Sequence, residues 1–241
     1  MVITMKRKNH NGGFYWNNES YREFCVTYLL NNKISISGKH NYQFGIYSGI
    51  TMRWIYEMFR YYRLPCERIL AFDSFEGLPE EQKGIPRTSN HCKGAYNVKE
   101  IEQFRDDTPQ QIIKKIQSTL PDNLIPIDWS IGFFDQVLTE IFLKTNPKPA
   151  FWVDLDIDLY ISSIQVLDFM FKNRLIVPTT IVSFDDWGCT YEYRGGESLA
   201  WKEMCQKYAV TAREIHCYRY ENEGSPDYVC HKVFIVNKIE C

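Results

Sequence analysis

The sequence predicts an α/β domain with a mostly parallel central sheet, helices on both faces and an antiparallel hairpin at the C-terminal end. Short apolar segments of strand length alternate with helix-like segments from residue 42 to residue 184. Parallel neighbours need such crossover connections, so this alternation favours a parallel sheet. Near the end of the chain, two strand-like segments are separated only by the turn-rich residues 221–227. So short a connection favours a hairpin.

Each element follows from its local pattern. The predicted strands are short apolar runs, at 42–46, 69–72, 124–131, 150–155 and 180–184. The predicted helices are longer segments of helix-like composition, at 19–30, 51–62, 98–120, 135–145 and 162–174. A further helix is predicted at 197–208, before hairpin strands at 213–220 and 228–237.

Length and composition agree with a single domain. The chain has 241 residues, of which 44% are hydrophobic, and this is enough to bury one substantial core. Residues 1–18 are rich in Asn, Lys and Gly and show no apolar period. They predict a flexible leader, followed by one domain over residues 19–241. The polar, irregular segment 80–96 is a candidate lid over a site.

Charge and apolar content argue against several classes of partner. The formal net charge is −2, with acidic and basic residues mixed along the chain, which gives no electrostatic footprint for nucleic acid or a membrane surface. No segment reaches the roughly 18–20 continuous apolar residues of a membrane span, and the N-terminus lacks the apolar run of a secretory signal. We therefore expect a cytoplasmic protein. The eight cysteines are scattered, without a C-x-x-C pair, which indicates reduced thiols.

A glycine turn follows the first predicted strand. Gly45 and Gly49 stand between that strand and the helix that begins near Thr51. Glycine lets the backbone approach a ligand closely, and free N–H groups at a helix start can hold an anionic group. A tight strand-to-helix turn without a ligand explains the pattern equally well, and the G-x-x-x-G spacing differs from the G-x-G-x-x-G of dinucleotide binding.

An acidic residue ends the second predicted strand. Asp73 stands where a carboxylate can accept hydrogen bonds from ribose hydroxyls. It can also serve as a turn or helix cap, and taken alone the two interpretations are equal. Together with the glycine turn before it, Asp73 favours a nucleoside-containing ligand.

Five aspartates follow two other strands. Asp154, Asp156 and Asp158 alternate at the end of one strand, so they begin on one face and repel each other. Asp185 and Asp186 end the next strand, at the sheet edge where open α/β folds bind ligands. Either group alone is better explained by helix capping and by pairing with Lys or Arg. The two groups together favour an oxygen-rich site for Mg²⁺.

Histidine and serine patterns predict no further catalytic group. The histidines are His10, His40, His91, His216 and His231. None of them falls at a metal-ligand spacing or in a nucleophile motif, so we predict no catalytic histidine. No serine lies in a G-x-S-x-G setting, which disfavours a serine hydrolase.

Several motifs carry a resemblance to a known family. They are the residues 44–49 (FGIYSG), 72–79 (FDSFEGLP), 132–135 (GFFD), 156–163 (DIDLYISS) and 184–188 (FDDWG). With these motifs the chain resembles the macrocin O-methyltransferase family of class I S-adenosylmethionine-dependent enzymes, which modify sugars in antibiotic biosynthesis. The resemblance implies the Rossmann-like class I methyltransferase fold. Two positions depart from the family pattern, since Gln43 and Ile161 stand where the family often carries acidic residues.

The resemblance also implies roles for individual residues. The positions expected around S-adenosylmethionine are Gly45, Tyr47, Gly49, Thr51, Asp73, Ser74, Gly132 and Phe133. Within this set, Asp73 would hold the ribose, and Gly132 and Phe133 would lie near the adenine. The implied magnesium ligands are Asp156, Asp185 and Asp186, and Asp158 takes the position of the general base. Asp154 has no implied role.

The sequence thus predicts a magnesium-dependent O-methyltransferase that moves the methyl group of S-adenosylmethionine to a hydroxyl of a sugar or glycoside. The expected partner is a small-molecule or glycan hydroxyl acceptor, and a homo-oligomer stays open. Three alternatives are a catechol-like phenol as acceptor, a catalytically silent nucleoside-binding domain, and a nicotinamide-dependent oxidoreductase. The missing G-x-G-x-x-G pattern weakens the last of these.

Overall fold

The computed structural model describes residues 21–188, 194–222 and 225–240. The leader predicted for residues 1–18 lies outside the described residues. The strands are β1 (His40–Phe44), β2 (Ile69–Asp73), β3 (Ile127–Ile131), β4 (Ala150–Leu155), β5 (Ile181–Phe184), β6 (Val210–Asn222) and β7 (Ser225–Ile239). The α-helices are α1 (Tyr21–Asn31), α2 (Ile50–Tyr61), α3 (Pro109–Ser118), α4 (Phe134–Val137), α5 (Glu140–Leu143), α6 (Tyr160–Lys172) and α7 (Gly196–Lys207).

The strands form one seven-stranded sheet in the order β3-β2-β1-β4-β5-β7-β6. The first five strands pair in parallel, β7 pairs antiparallel with β5, and β6 and β7 form an antiparallel hairpin. This arrangement confirms the predicted α/β fold. Strand order reverses between β1 and β4, and an open α/β sheet binds its ligands in the crevice at such a switch point.

Apolar side chains cover both faces of the sheet and form two clusters. One cluster packs α6 and α7 against one face, and the other packs α1, α2 and α3 against the opposite face. Every residue of β4 is buried, as expected for a parallel strand that is covered on both sides. The two-sided core confirms the prediction of helices on both faces.

Two predicted helices are shorter and more broken than expected. Instead of one helix over 98–120, the chain forms two 3-10 turns, Val98–Glu100 and Glu102–Phe104, and then α3. Helix α3 cannot begin earlier than Pro109, because Thr108 caps it and proline at the first helical position has no N–H to donate. The segment predicted as one helix over 135–145 forms the separate short helices α4 and α5.

The remaining strand bounds differ by a few residues. The strand predicted at 124–131 begins only at Ile127, because Pro126 can accept a ladder hydrogen bond from Ile69 but has none to donate. The hairpin strands are longer than predicted, and the hairpin tip at residues 223–224 lies outside the described residues. Among the described helices, none is long and apolar enough to cross a membrane.

Candidate active site

A cavity of about 700 Å³ opens at the carboxyl ends of β1, β2, β4 and β5. Both predicted groups of site residues meet on its wall. The predicted site residues that line it are Gly45, Tyr47, Thr51, Asp73, Ser74, Gly132, Phe133, Asp156, Asp158, Asp185 and Asp186. Strand order alone brings these distant segments together, because parallel strands place all their carboxyl ends at one edge.

Both glycines of the turn have a packing reason to be glycine. Gly45 has φ +84°, and an added Cβ would lie 1.8 Å from the backbone oxygen of Asp156. Gly49 has φ +81°, and its Cβ would lie 2.5 Å from the side chain of Ile116. Unlike the other predicted site residues, Gly49 is not part of the cavity wall. Its predicted contact with a cofactor therefore gains no support from the geometry.

Asp73 joins the glycine turn to the end of β2. Its Oδ2 accepts hydrogen bonds from the backbone N–H groups of Ile46 (2.6 Å) and Tyr47 (2.7 Å), and its Oδ1 accepts one from Phe75 (2.6 Å). Burial raises the pKa of the Asp73 carboxyl, although these N–H donors work in the opposite direction. Asp73 thus organises two turns as a cap does, while it also lines the cavity.

The carboxylates after β4 and β5 converge. Asp156, Asp185 and Asp186 each offer one oxygen, and these oxygens lie within 4.8 Å of one another. Backbone hydrogen bonds fix two of them, from Asp156 N–H to Phe44 (3.0 Å) and from Asp185 N–H to Leu155 (2.9 Å). Three hard oxygen ligands on a rigid sheet edge fit Mg²⁺, which binds few carboxylates and retains water.

Like charges and burial perturb these carboxyls. Burial, together with Asp185, raises the pKa of Asp156 well above its ordinary value. Burial and the neighbouring Asp186 do the same to the pKa of Asp158. Burial alone would raise the pKa of Asp185, but the charges of Arg22 and His231, together with the hydrogen bonds from Tyr21 and Arg22, lower it. The carboxylates of the cluster therefore repel one another, and a bound cation would relieve that repulsion.

Similarity to solved structures identifies the fold of this chain. The sequence matches no family model and no curated protein. A structure of CalS11, described as a calicheamicin methyltransferase, superposes with a TM-score of 0.63 at 15% identity, over 89% of this chain and 77% of that chain. The O-methyltransferase NovP superposes with a TM-score of 0.60 at 16% identity, over 90% and 78%. The chain has the class I methyltransferase fold.

A second structure of CalS11, described as a TDP-rhamnose 3′-O-methyltransferase, superposes with a TM-score of 0.53 at 14% identity, over 89% and 79% of the two chains. At these identities the similarity establishes the fold. Membership of the macrocin O-methyltransferase family stays a prediction.

Within this methyltransferase fold, an arginine that no sequence pattern indicates lies at the carboxylates. Arg22 of α1 is 7% exposed, and its guanidinium contacts Asp154 (2.8 Å), Asp156 (3.0 Å) and Asp185 (3.2 Å). The pairing with Arg that either aspartate group alone favours is therefore present. Asp154, which had no implied role, forms the shortest of these ion pairs. Because 132 positions separate Arg22 from Asp154, no local pattern could have revealed the contact.

The candidate lid 80–96 closes on itself beside the cavity of the methyltransferase fold. Its base is a short ladder, in which the N–H of Leu78 donates to Ala95 and the N–H of Gly94 donates to Leu78, both at 2.8 Å. Tyr96 faces Tyr47 of the glycine turn edge to face, with ring centres 6.4 Å apart. Both tyrosines line the cavity, so the lid and the turn form one wall.

Two buried lid residues fasten it to the segment after β4. The Glu81 carboxylate accepts hydrogen bonds from the N–H groups of Tyr160 (2.9 Å) and Ile161 (3.0 Å) at the start of α6. His91 lies 3.2 Å from a carboxylate oxygen of Asp158. Glu81 thus supplies a carboxylate to the backbone of Ile161 at the start of α6. No sequence pattern points to Glu81, and His91 falls at no metal-ligand spacing and in no nucleophile motif.

Gln43, the other position that departs from the pattern of the resembled family, lies inside the sheet. Gln43 is 2% exposed and donates from its side-chain amide to the side chain of Asn41 at 2.9 Å. Asn41 in turn donates to the backbone oxygen of Trp152. Gln43 therefore belongs to a buried polar pair within the sheet, away from the cavity wall.

Proposed function

We propose that this protein is a magnesium-dependent O-methyltransferase that transfers the methyl group of S-adenosylmethionine to a hydroxyl of a sugar or glycoside. The observation that carries the proposal is the single cavity lined by both groups of residues. The glycine turn and Asp73 line it together with the carboxylates of Asp156, Asp185 and Asp186. A cofactor and a metal-bound acceptor would therefore share one enclosure, as group transfer between them requires.

The turn, the end of β2 and the loop after β3 supply a surface that suits S-adenosylmethionine. Asp73 offers a carboxylate at the end of β2, where ribose hydroxyls bind in nucleotide-binding α/β folds. Gly132 and Phe133 follow β3 and line the cavity, and Phe133 supplies an aromatic side chain that fits an adenine ring. The sulfonium of the bound cofactor would supply an activated methyl group.

The three carboxylates supply the other half of the proposed site. Asp156, Asp185 and Asp186 would hold Mg²⁺, and the metal would acidify and orient an acceptor hydroxyl. Asp158 lies two residues after Asp156, is 8% exposed and has φ +58°. This left-handed backbone is a strained conformation, and Asp158 is part of the cavity wall. Asp158 would accept the proton that the acceptor hydroxyl loses.

A sugar acceptor is proposed from two lines of support. CalS11 is described as acting on TDP-rhamnose, and vicinal sugar hydroxyls can bind a single metal ion through two oxygens. The cavity wall combines the carboxylates with Trp54, Tyr47 and Tyr96. Aromatic side chains pack against the apolar face of a sugar ring, while carboxylates accept its hydroxyl hydrogens.

Isothermal titration with S-adenosylhomocysteine tests the cofactor. We expect micromolar binding by the wild type and about tenfold weaker binding by Phe133→Ala, which removes an aromatic wall. Leu124→Ala truncates an apolar side chain that is 72% exposed and is the matched control. Asp73 variants are less informative, since that carboxylate also holds two turns. Absence of binding would overturn the methyltransferase proposal.

An acceptor screen tests the rest of the proposal. Glycosides and catechols are incubated with S-adenosylmethionine and Mg²⁺, and methylated products are identified by mass spectrometry. We expect glycoside methylation that stops in EDTA and returns with Mg²⁺. Methylation of catechols alone would overturn the sugar acceptor, and full turnover in EDTA would overturn the magnesium dependence.

A further inference from the structure

The Arg22 guanidinium stands at the centre of the acidic cluster. Its three nitrogens each contact a different carboxylate, at 2.8 Å to Asp154, 3.0 Å to Asp156 and 3.2 Å to Asp185. The Arg22 side chain is 9% exposed and that of Asp154 only 3%. Two of the three contacted residues are the proposed ligands of Mg²⁺. Arg22 and the proposed metal would therefore share the carboxylates of Asp156 and Asp185.

A polar network behind Arg22 fixes its position. Asp154 accepts a hydrogen bond from Ser183 at 2.6 Å, and Ser183 accepts one from the indole N–H of Trp152 at 2.7 Å. All three side chains are buried in β4 and β5. The Tyr21 hydroxyl, next to Arg22 in α1, donates to Asp185 at 2.8 Å. Arg22 is thus held by the sheet and α1 together, and it cannot move away without depriving the Asp154 carboxylate of its ion-pair partner.

From this arrangement we infer that Arg22 is a built-in counter-ion of the proposed metal centre. It keeps the carboxylates of Asp154, Asp156 and Asp185 together when no metal is bound, and it lowers the affinity of the centre for Mg²⁺. The inference rests on the proposed function, because it concerns the same carboxylates. Removing one partner of a buried ion pair is strongly destabilising, since the remaining charge stays buried and uncompensated.

The sign of the effect on metal affinity follows from charge. A guanidinium beside the ligands repels a divalent cation and neutralises part of the charge that attracts it. Preorganisation by Arg22 is the smaller effect, because backbone hydrogen bonds to Leu155 and Phe44 already fix Asp185 and Asp156. A neutral residue at position 22 should therefore weaken the metal-free fold and strengthen Mg²⁺ binding.

The test is a thermal-melt and calorimetric titration with Mg²⁺ alone, on metal-free protein at constant ionic strength. Arg22→Met should lower the melting temperature in EDTA and bind Mg²⁺ on the order of tenfold more tightly than the wild type. In Arg22→Lys, which keeps the charge, the melting temperature and the Mg²⁺ affinity should lie closer to the wild-type values than they do in Arg22→Met. Arg53→Met is the control. Arg53 is exposed, and within the described residues its ion-pair partner is Glu57. Its replacement should change neither value.

Equal or weaker Mg²⁺ binding by Arg22→Met would overturn the inference, as would absence of Mg²⁺ binding in both proteins. If Arg22→Met is unfolded in EDTA, the inference requires that Mg²⁺ refolds it, and failure to refold counts against it. Binding of S-adenosylhomocysteine is measured separately. Its absence would overturn the proposed function while the magnesium titration still decides the role of Arg22.

Discussion

The Nε2 atom of His91 lies 3.2 Å from the Oδ1 atom of Asp158, and both side chains are buried. The histidine belongs to the candidate lid over 80–96, and the aspartate belongs to the loop after β4. Burial lowers the pKa of His91, which favours the neutral ring. A neutral imidazole can donate one N–H to the carboxylate and so hold it in one orientation.

Loss of this contact should reduce turnover while it spares cofactor binding. We expect His91→Phe to lower kcat about tenfold, because the carboxylate of Asp158 loses the donor that orients it. His40→Phe is the control, since His40 is buried to a similar degree, 8% against 5% exposed, at the opposite end of β1. Steady-state kinetics and titration with S-adenosylhomocysteine measure the two effects. An unchanged kcat in His91→Phe would show that the contact serves the lid alone.

Asp158 itself should be indispensable for methyl transfer. Asn tolerates the left-handed backbone at φ +58° better than most non-glycine residues, so Asp158→Asn should fold normally. Because the amide cannot accept the hydroxyl proton, we expect turnover to fall by about 10²-fold or more. Affinity for S-adenosylhomocysteine should stay within about twofold of the wild type, because Asp158 is not among the residues proposed to bind the cofactor. Full activity of Asp158→Asn would remove Asp158 from the mechanism.

Gly45 should be the more sensitive of two glycines with a positive φ. Gly45→Ala places a Cβ against the backbone oxygen of Asp156, and we expect a loss of about 3 kcal/mol or more in the free energy of unfolding. Gly38 has φ +69° but nothing within 4 Å of an added Cβ. Gly38→Ala should therefore lose only about 1 kcal/mol from backbone strain. Urea unfolding compares the two variants, and equal losses would contradict the close approach of the turn and the loop after β4.

Glu81 should control how firmly the lid is closed. Glu81→Ala removes the acceptor for two N–H groups at the start of α6, and we expect a loss of about 1–2 kcal/mol in the free energy of unfolding. Residues 82–90 should also become cleavable by trypsin at Lys83 and Arg87. Glu100→Ala, at an exposed position, is the control. Wild-type resistance of the lid in Glu81→Ala would show that other contacts close it.

Much of the site could be predicted because strand ends in a parallel sheet leave few choices. Asp73, Asp156 and Asp185 each follow an apolar strand, and parallel pairing brings those ends to one edge. The alternation that placed Asp154 and Asp156 on one face also holds, since both contact Arg22. The alternation of faces ends after β4, where the positive φ of Asp158 turns that residue toward His91.

The sequence by itself determined the α/β class and the segments that carry the carboxylates. These features depend on local period and on connection length, and both can be seen in the residues themselves. Only the tertiary structure decided which side chains hold those carboxylates and the candidate lid in place. Arg22, Glu81 and His91 reach their partners across long stretches of chain, and such contacts depend on how helices and loops pack rather than on any local pattern.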